Sequence, residues 1–480
     1  FAHALIGGVA AILHGSTRAT RDVDISVAAA SEDIERLLAM LAAHGFEEPV
    51  VRGSVIQAAH SSGYRLDLLL ESSAFERAVR ALEHLREARP ASSHKVRILT
   101  EAERSPLKKY KLVLELDGEI VRKATPHVGY LHRGIEKLSE HRTYHQVLPL
   151  TDRLDYLAPM HNNLGYVLAV EKLLGITYEI PERAQVVRVL LAELTRLKSH
   201  LVWLACHALD IGAMTVFIYC FREREHIMNI YEKISGARMT SNYFRVGGLS
   251  ADLPAGLEKE IRDFVNSMPE HIKTYEGLLT GNKIWQKRIM GVGHISAEDA
   301  IDLGVTGPCL RASGVDWDLR RDQPYSGYEN YDFEVVVDDG CDTWARYHCR
   351  LKEMREACKL IHQALDKLKP GPILADVPKV VLPPKQETAN TIEGLIHHFK
   401  IISEGFKPDA GEVYVGVENP KGEVGYYLVS DGSPRPYRMK IRPACFINLQ
   451  ALPKMVEGSM IADVVAVIGT LDIVLGEIDR

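Results

Sequence analysis

Three aspartates are spaced to hold a divalent cation. Asp22 and Asp24 alternate in RDVDISV, and Asp67 follows in RLDLLL. Side chains two apart in a strand share a face, so Asp22 and Asp24 can converge on one ion, with Asp67 on a neighbouring strand as a third carboxylate. Hard oxygen ligands suit Mg²⁺, which activates a hydroxyl and orients a triphosphate in metal-assisted phosphoryl transfer. Gly7 and Gly8 precede a short helix and would offer backbone N–H groups to those phosphates. An exposed strand with alternating charges carries the same DxD pattern.

A second concentration of chemistry lies at residues 124–174. His127, His132, Arg133, Glu136, His141, Arg142, Arg153 and Asp155 stand there among apolar positions, at a density a plain core does not tolerate. The pattern predicts a polar site sunk into a helical core.

The elements that position these groups change character near residues 95–112. Before that point the chain reads as short α/β elements: an apolar start at Ala4–Leu13, a strand at Arg21–Val27, a helix capped by Ser31 and stopped by Gly45, and a strand ending in Arg65–Leu70. After it, Lys111–Arg122 reads as a strand or hairpin arm and residues 130–300 as long helices. Gly307–Val337 reads as an ordered loop and Trp344–Leu368 as a further helix. Prolines at 370, 372, 378, 383 and 384 mark an extended connection. Tyr414–Cys445 alternates like a small antiparallel sheet, with turns at Pro420-Lys421-Gly422 and Asp431-Gly432.

A chain of 480 residues, 46% hydrophobic and 25% charged, has ordinary globular composition and room for two or more cores. Its net charge of -6 argues against nucleic acid as a partner. Seven cysteines without a CxxC pair read as mostly buried thiols in a reducing compartment, with no metal cluster bound by this chain. No signal peptide is visible, and the start at Phe1 rather than Met points to a true start further upstream. The apolar run Leu201–Phe221 is long enough to span a bilayer. It continues an amphipathic helix from near Ala184, with Val187, Leu190, Leu191, Leu194 and Leu201 on one face and Arg188, Glu193, Arg196 and Lys198 elsewhere. That continuity predicts a buried bundle helix, with membrane attachment through partner subunits.

With its glycine pair and RxTxDxD order, the segment 1–100 resembles the nucleotidyltransferase superfamily of the DNA polymerase β type, particularly its small toxin or antitoxin-like members. The resemblance implies Mg²⁺ at Asp22, Asp24 and Asp67, with nucleotide phosphates at Gly7 and Gly8. The helical remainder of such domains is absent after KVRILTEAE at 95–103.

Residues 112–480 resemble the quinone-site subunit of respiratory complex I, the bacterial NADH:quinone oxidoreductase. PHVGYLHRGIEK, EHRTY, DRLDY, AVEKLLG, ELTRLKSHL, DIGAMTVF, FREREHIMNIYEKISGARM, YFRVGG, LRASGVDWDLRRDQPYSGYENYDF, GEVYVGVENPKGEVGYYLVSDG and LDIVLGEIDR carry the likeness. The implied fold class is α+β: a mainly helical core like that of the nickel-iron hydrogenase large subunit with a peripheral antiparallel sheet, preceded by the α/β nucleotidyltransferase-like fragment. The implied division is 1–100, a junction at 101–111, and 112–480. By the same resemblance the two hydrogenase CxxC pairs correspond to RLDYLAPMH (153–161) and LDIVLGE (471–477), neither of which holds a cysteine, so a soft metal site cannot form there.

The resemblance also implies a site. Tyr156 matches the family's quinone-binding tyrosine, a phenol that donates to a quinone oxygen. Asp210 matches the aspartate behind the second donor. Arg133 and Arg153 match arginines near an iron-sulfur cluster in a partner subunit, whose affinity for an electron they raise. The family's HPSTHG hairpin, which carries the second donor, is absent: Glu103 and Leu107 align with its histidines. Thr240 stands where some relatives have a histidine beside the cluster. Both parts being cut at one place fits a fused or frameshifted reading frame.

The function implied is a translocase subunit, peripheral on the cytoplasmic side of the bacterial inner membrane, that forms the quinone pocket and passes electrons from the partner cluster to quinone, coupled to proton translocation. Partner iron-sulfur, peripheral-arm and membrane-arm subunits hold the clusters, FMN and NADH; this chain lacks a dinucleotide fingerprint. The alternative is a Mg²⁺-dependent nucleotidyltransferase fused to an inactive complex I-like scaffold. A ferredoxin- or F420-linked complex also remains open.

Overall fold

The computed structural model describes residues 111–480 and, ahead of them, the backbone of five strands within residues 22–98. The chain divides into two units, Phe1–Ile98 and Leu99–Arg480. In the first, β1 (Asp22–Val27), β2 (Phe46–Arg52), β3 (Val55–His60) and β4 (Arg65–Leu70) form a sheet ordered β1-β4-β3-β2. The β1/β4 pair is parallel and the other two are antiparallel. Strand β5 covers His94–Ile98. The sequence reading has only the parallel pair, β1 and β4. Glu47, Glu48 and Pro49 hide β2, and its register against β3 shifts between Glu47 and Val50. The apolar start at 4–13 and the expected helix after Ser31 lie outside the described residues.

The second unit opens with a hairpin, β6 (Lys111–Asp117) and β7 (Ile120–His127), turning at Gly118 with φ +62. Short helices α1 (Ile135–Ser139) and α2 (Tyr144–Thr151) lead into α3 (Pro159–Leu174). Proline at its first position starts α3, and Gly175, at φ 72, ends it by returning its N–H to Glu171 and Lys172 carbonyls. The centre of the unit is α4 (Glu182–Asp210), which lies against α3, α5 (Met214–Ser235), α7 (Thr343–Lys367) and α10 (Ile461–Leu471). Between α5 and α7, α6 (Leu257–Leu279) buries Leu257, Ile261, Val265, Met268, Ile272, Tyr275 and Leu279, one residue per turn.

Two expectations about α4 need correction. The apolar run Leu201–Phe221 is not one helix: the chain breaks at Ile211–Ala213, with Gly212 at φ +99, and restarts as α5. Nor is α4 amphipathic toward solvent. Arg188, Glu193, Arg196 and Lys198 are all buried: Glu171 pairs with Arg188, Arg320 with Glu193, Arg196 pairs with Glu193 on its own helix and donates to the Glu418 carbonyl, and Lys198 lies over the Tyr231 ring. No helix among the described residues is long and apolar enough to cross a membrane.

After an irregular stretch with short helical turns at Pro308–Arg311 and Leu319–Asp322 comes α7, capped by the Asp342 carboxylate on the Ala345 N–H. A proline-rich connection and α8 (Ile392–Ser403) then lead to an antiparallel sheet of β8 (Gly411–Asn419), β9 (Gly422–Ser430) and β10 (Arg438–Arg442). This sheet packs on α3 at Gly165, where a Cβ would approach Tyr426 to 3.0 Å. Helices α9 (Ala444–Gln450), α10 and α11 (Leu475–Asp479) close the chain.

Candidate functional site

Arg133 and the backbone of Arg153 meet at the C-terminal helix. Arg133 Nη2 donates to the Arg153 carbonyl at 2.6 Å and to the Gly476 carbonyl at 2.8 Å, clamping residues 153–156 to α11. The clamp needs glycine: a Cβ on Gly476 would stand 2.6 Å from the Leu154 carbonyl oxygen. The Arg153 side chain is exposed and donates to the Pro149 carbonyl. Tyr156 is half-buried; burial raises its phenol pKa, Asp155 adds to the rise, and Lys421 and Arg133 oppose it.

Asp210 is the last residue of α4 and is exposed. Its carboxylate lies beside α10, 3.6 Å from where a Cβ on Gly469 would be. One turn earlier, the Cys206 thiol is pushed up to about 11 by burial and by Asp472 and Asp210. Asp472 and Asp210 therefore both face that thiol.

The residue that joins Asp155 to Asp472 is one the sequence reading misses. Lys421 is fully buried in the two-residue turn between β8 and β9. Its Nζ is 3.2 Å from Asp155 Oδ2, 3.5 Å from Asp472 Oδ2 and 2.6 Å from Ser199 Oγ. The segments 153–161 and 471–477, paired above by resemblance alone, thus share one buried ammonium. Read as a turn, Pro420-Lys421-Gly422 gives no such signal. What marks it is the glycine on either side of the contact: Gly422, at φ +133, abuts Thr306, and a Cβ on Gly307 would strike Gly422 Cα at 2.4 Å.

Behind this cluster the family-like motifs converge on a larger ion network. Glu193 receives Arg196 Nε at 3.1 Å, Arg320 Nη1 at 3.2 Å and Tyr328 Oη at 2.7 Å. Arg320 pairs with Asp318 at 2.7 Å, and Arg311 pairs at 2.7 Å with both Glu353 and Glu418. His200 Nε2 lies 2.9 Å from Glu353. Burial holds His200 down to about 4, so it is neutral at pH 7. All these side chains are buried. Removing any partner would strand a charge in low dielectric, so the network fixes how the loop 310–333, the sheet and α4 meet.

A large cavity, about 1270 Å³, lies apart from this cluster, between α2, the chain near Arg245, the proline-rich connection and α8. None of the sequence-predicted residues lines it. In the first unit, the β1/β4 register sets Asp24 opposite Asp67, as a shared ion would require of the backbone. Asp22 pairs with Arg65 instead. Gly7, Gly8, Glu103 and Leu107 lie outside the described residues. Among the described residues, no group of three or more His, Cys, Asp or Glu is placed to hold a metal.

The profile of the family described as respiratory-chain NADH dehydrogenase, 49 Kd subunit, matches residues 210–480. The D subunit of the NADH-quinone oxidoreductase of Geobacter metallireducens is 74% identical over 370 residues, 77% of this chain and 94% of the relative. Its counterpart in Geotalea uraniireducens is 72% identical over the same shares of both chains. The D 2 subunit of the Koribacter versatilis enzyme is 55% identical over 77% of this chain and 92% of its own length. The chain belongs to the family of the 49 kDa subunit of respiratory-chain NADH dehydrogenase.

Proposed function

We propose that this chain forms the headgroup side of the quinone pocket in a bacterial NADH:quinone oxidoreductase, peripheral on the cytoplasmic side of the membrane and bound to iron-sulfur and membrane-arm subunits. The observation that carries the reading is the Arg133 clamp, which ties the Arg153 carbonyl to the C-terminal helix while Asp155, the neighbour of Tyr156, meets the buried Lys421 ammonium. Reduction of a quinone puts negative charge on its two oxygens, and a phenol held beside buried carboxyls can meet that charge with a proton. Arg133 and Arg153 add positive charge on the side from which a partner's cluster would deliver electrons. Asp210, beside α10, would carry protons away from the pocket. NADH and FMN belong to partner subunits.

The test is Tyr156→Phe in the assembled enzyme. Quinone reduction should fall by about 10²-fold or more, while NADH oxidation by a water-soluble artificial acceptor stays unchanged. Full quinone reductase activity in that variant would rule the pocket out.

A further inference from the structure

Lys421 brings three donors to acceptors far apart in the chain, and the fit is incomplete. Ser199 Oγ takes a hydrogen bond at 2.6 Å, but Asp155 Oδ2 and Asp472 Oδ2, at 3.2 and 3.5 Å, have no aligned hydrogen bond within the protein. Each therefore keeps a buried lone pair that a proton or an ordered water would satisfy. A third carboxyl, Glu477, is fully buried against the same cluster and accepts from the Ala444 N–H at 3.1 Å and the Cys445 N–H at 3.4 Å. The Lys421 ammonium and the Arg350 guanidinium facing Asp472 are two cations against three carboxylates out of water, so the cluster keeps a carboxyl in its acid form. Burial pushes Glu477 up to about 7 and raises Asp472.

The other groups facing this cluster come from every element around it. Tyr156 lies beside Asp155, His161 reaches it from α3, Lys198 from α4, the Cys445 thiol from α9, and Arg350 faces Asp472 from α7. Burial holds Lys198 down to about 7, lowers His161 and raises Cys445, so none of the three adds a firm charge at neutral pH.

We propose that Lys421, with Asp155, Asp472 and Glu477, stores the proton that replaces the one Tyr156 gives to the reduced ligand, which makes Lys421 a positioning residue of quinone reduction. This rests on the quinone reading above. The Tyr156 O–H bond breaks as its proton joins the ligand oxygen. A carboxylic O–H of the cluster then breaks and the phenol O–H re-forms. The cluster is left one charge more negative, and the Lys421 ammonium stabilises that charge. Electrons reach the ligand from the partner subunit, and none passes through the cluster.

The pH profile of quinone reduction by the assembled enzyme, with a soluble short-chain quinone, tests this. Its alkaline limb should report loss of the stored proton. Lys421→Met withdraws the cation, so turnover near neutral pH should fall about tenfold or more and the limb should move up by about one pH unit. Lys421→Arg should keep the limb in place. Asp472→Asn removes a negative charge and should move the limb down, which covers a Met variant that fails to assemble. A wild-type rate in Lys421→Met, a slowed rate with an unmoved limb, or an unmoved limb in Asp472→Asn would overturn the proposal. Full activity in Tyr156→Phe would instead overturn the quinone reading on which it rests.

Discussion

Lys421 meets Asp155 at 3.2 Å inside the core, from the tip of a hairpin whose turn is buried. Hairpin tips ordinarily lie in solvent. This one is driven inward because Ser199, Asp155 and Asp472 satisfy the ammonium that the turn carries. The contact joins residues more than half the chain apart, so it forms only when α4, the sheet and the C-terminal helices are all in place.

Gly422 makes that insertion possible. Its φ of +133 is a backbone region that residues with a Cβ rarely adopt, and a Cβ there would lie 2.5 Å from Thr306 Oγ1. Gly422→Ala should cost about 2 kcal/mol or more in urea unfolding of the full chain. A loss within experimental scatter would mean that the turn has room to relax and does not fix Lys421.

How much of this was legible in the sequence depends on the range of the interaction. The ends of α3 and α7, the β8/β9 hairpin and the break at the prolines follow from local chemistry: Pro159 and Gly175, Asp342, and alternation around Pro420-Lys421. The burial of Arg188, Glu193, Arg196 and Lys198 does not, since Glu171 meets Arg188, Arg320 and Tyr328 meet Glu193, the Glu418 carbonyl meets Arg196 and the Tyr231 ring meets Lys198, all from elsewhere in the chain, and periodicity sees only one helix at a time. The density of charge at 124–174 misled: of the eight ionisable residues counted there only Asp155 is buried, while His127, His132, His141, Arg142 and Arg153 are exposed, because a run of charges is as easily a solvated face as a sunken site. Nor does the sequence show that Lys421, read only as a turn residue, is buried beside Asp155.

Glu171 and Arg188 form a buried two-pronged pair at 2.6 and 2.9 Å, and Glu171 also accepts the Gly247 N–H at 2.8 Å. Both side chains are at most 1% exposed. Glu171→Leu should cost about 3–5 kcal/mol, mostly because it strands the guanidinium. Adding Arg188→Leu should restore part of that loss, as no buried charge remains. Chemical denaturation of the three variants measures this. A double variant as unstable as the sum of the single ones would show the two positions to be independent.

Gly476 fixes the geometry around Tyr156 because its lack of a Cβ lets α11 rest on the Arg153 and Leu154 carbonyls. Alanine there should push the helix away and open the Arg133 clamp. Quinone reduction should fall by about tenfold to a hundredfold, the scale expected when a reacting group moves by about 1 Å. Oxidation of NADH by an artificial acceptor should be preserved. Wild-type quinone turnover in Gly476→Ala would show that the clamp does not position the phenol.

His207 predicts an acid limit to stability. Its ring is fully buried between Trp203 and Trp285, and neither ring nitrogen has an aligned partner in the protein. Burial, with Arg350 and Arg346 adding to it, holds the pKa down to about 3 from an ordinary 6.5. The unfolded chain therefore binds a proton between about pH 6.5 and 3 that the folded chain refuses, so stability rises with pH across that window. The neutral ring's contribution is fully present above pH 6.5 and is lost as pH falls toward 3. A shift of that size corresponds to about 4–5 kcal/mol. His207→Leu removes the titrating group at similar volume, so the slope of stability against pH should flatten in this window and the acid midpoint should move lower. The measurement is urea unfolding of both chains at several pH values between 4 and 7, with the slope rather than the absolute stability compared, since crowding against Gly469 adds a cost that does not vary with pH. Parallel slopes would place the acid sensitivity elsewhere, with His200 as the next buried imidazole to replace.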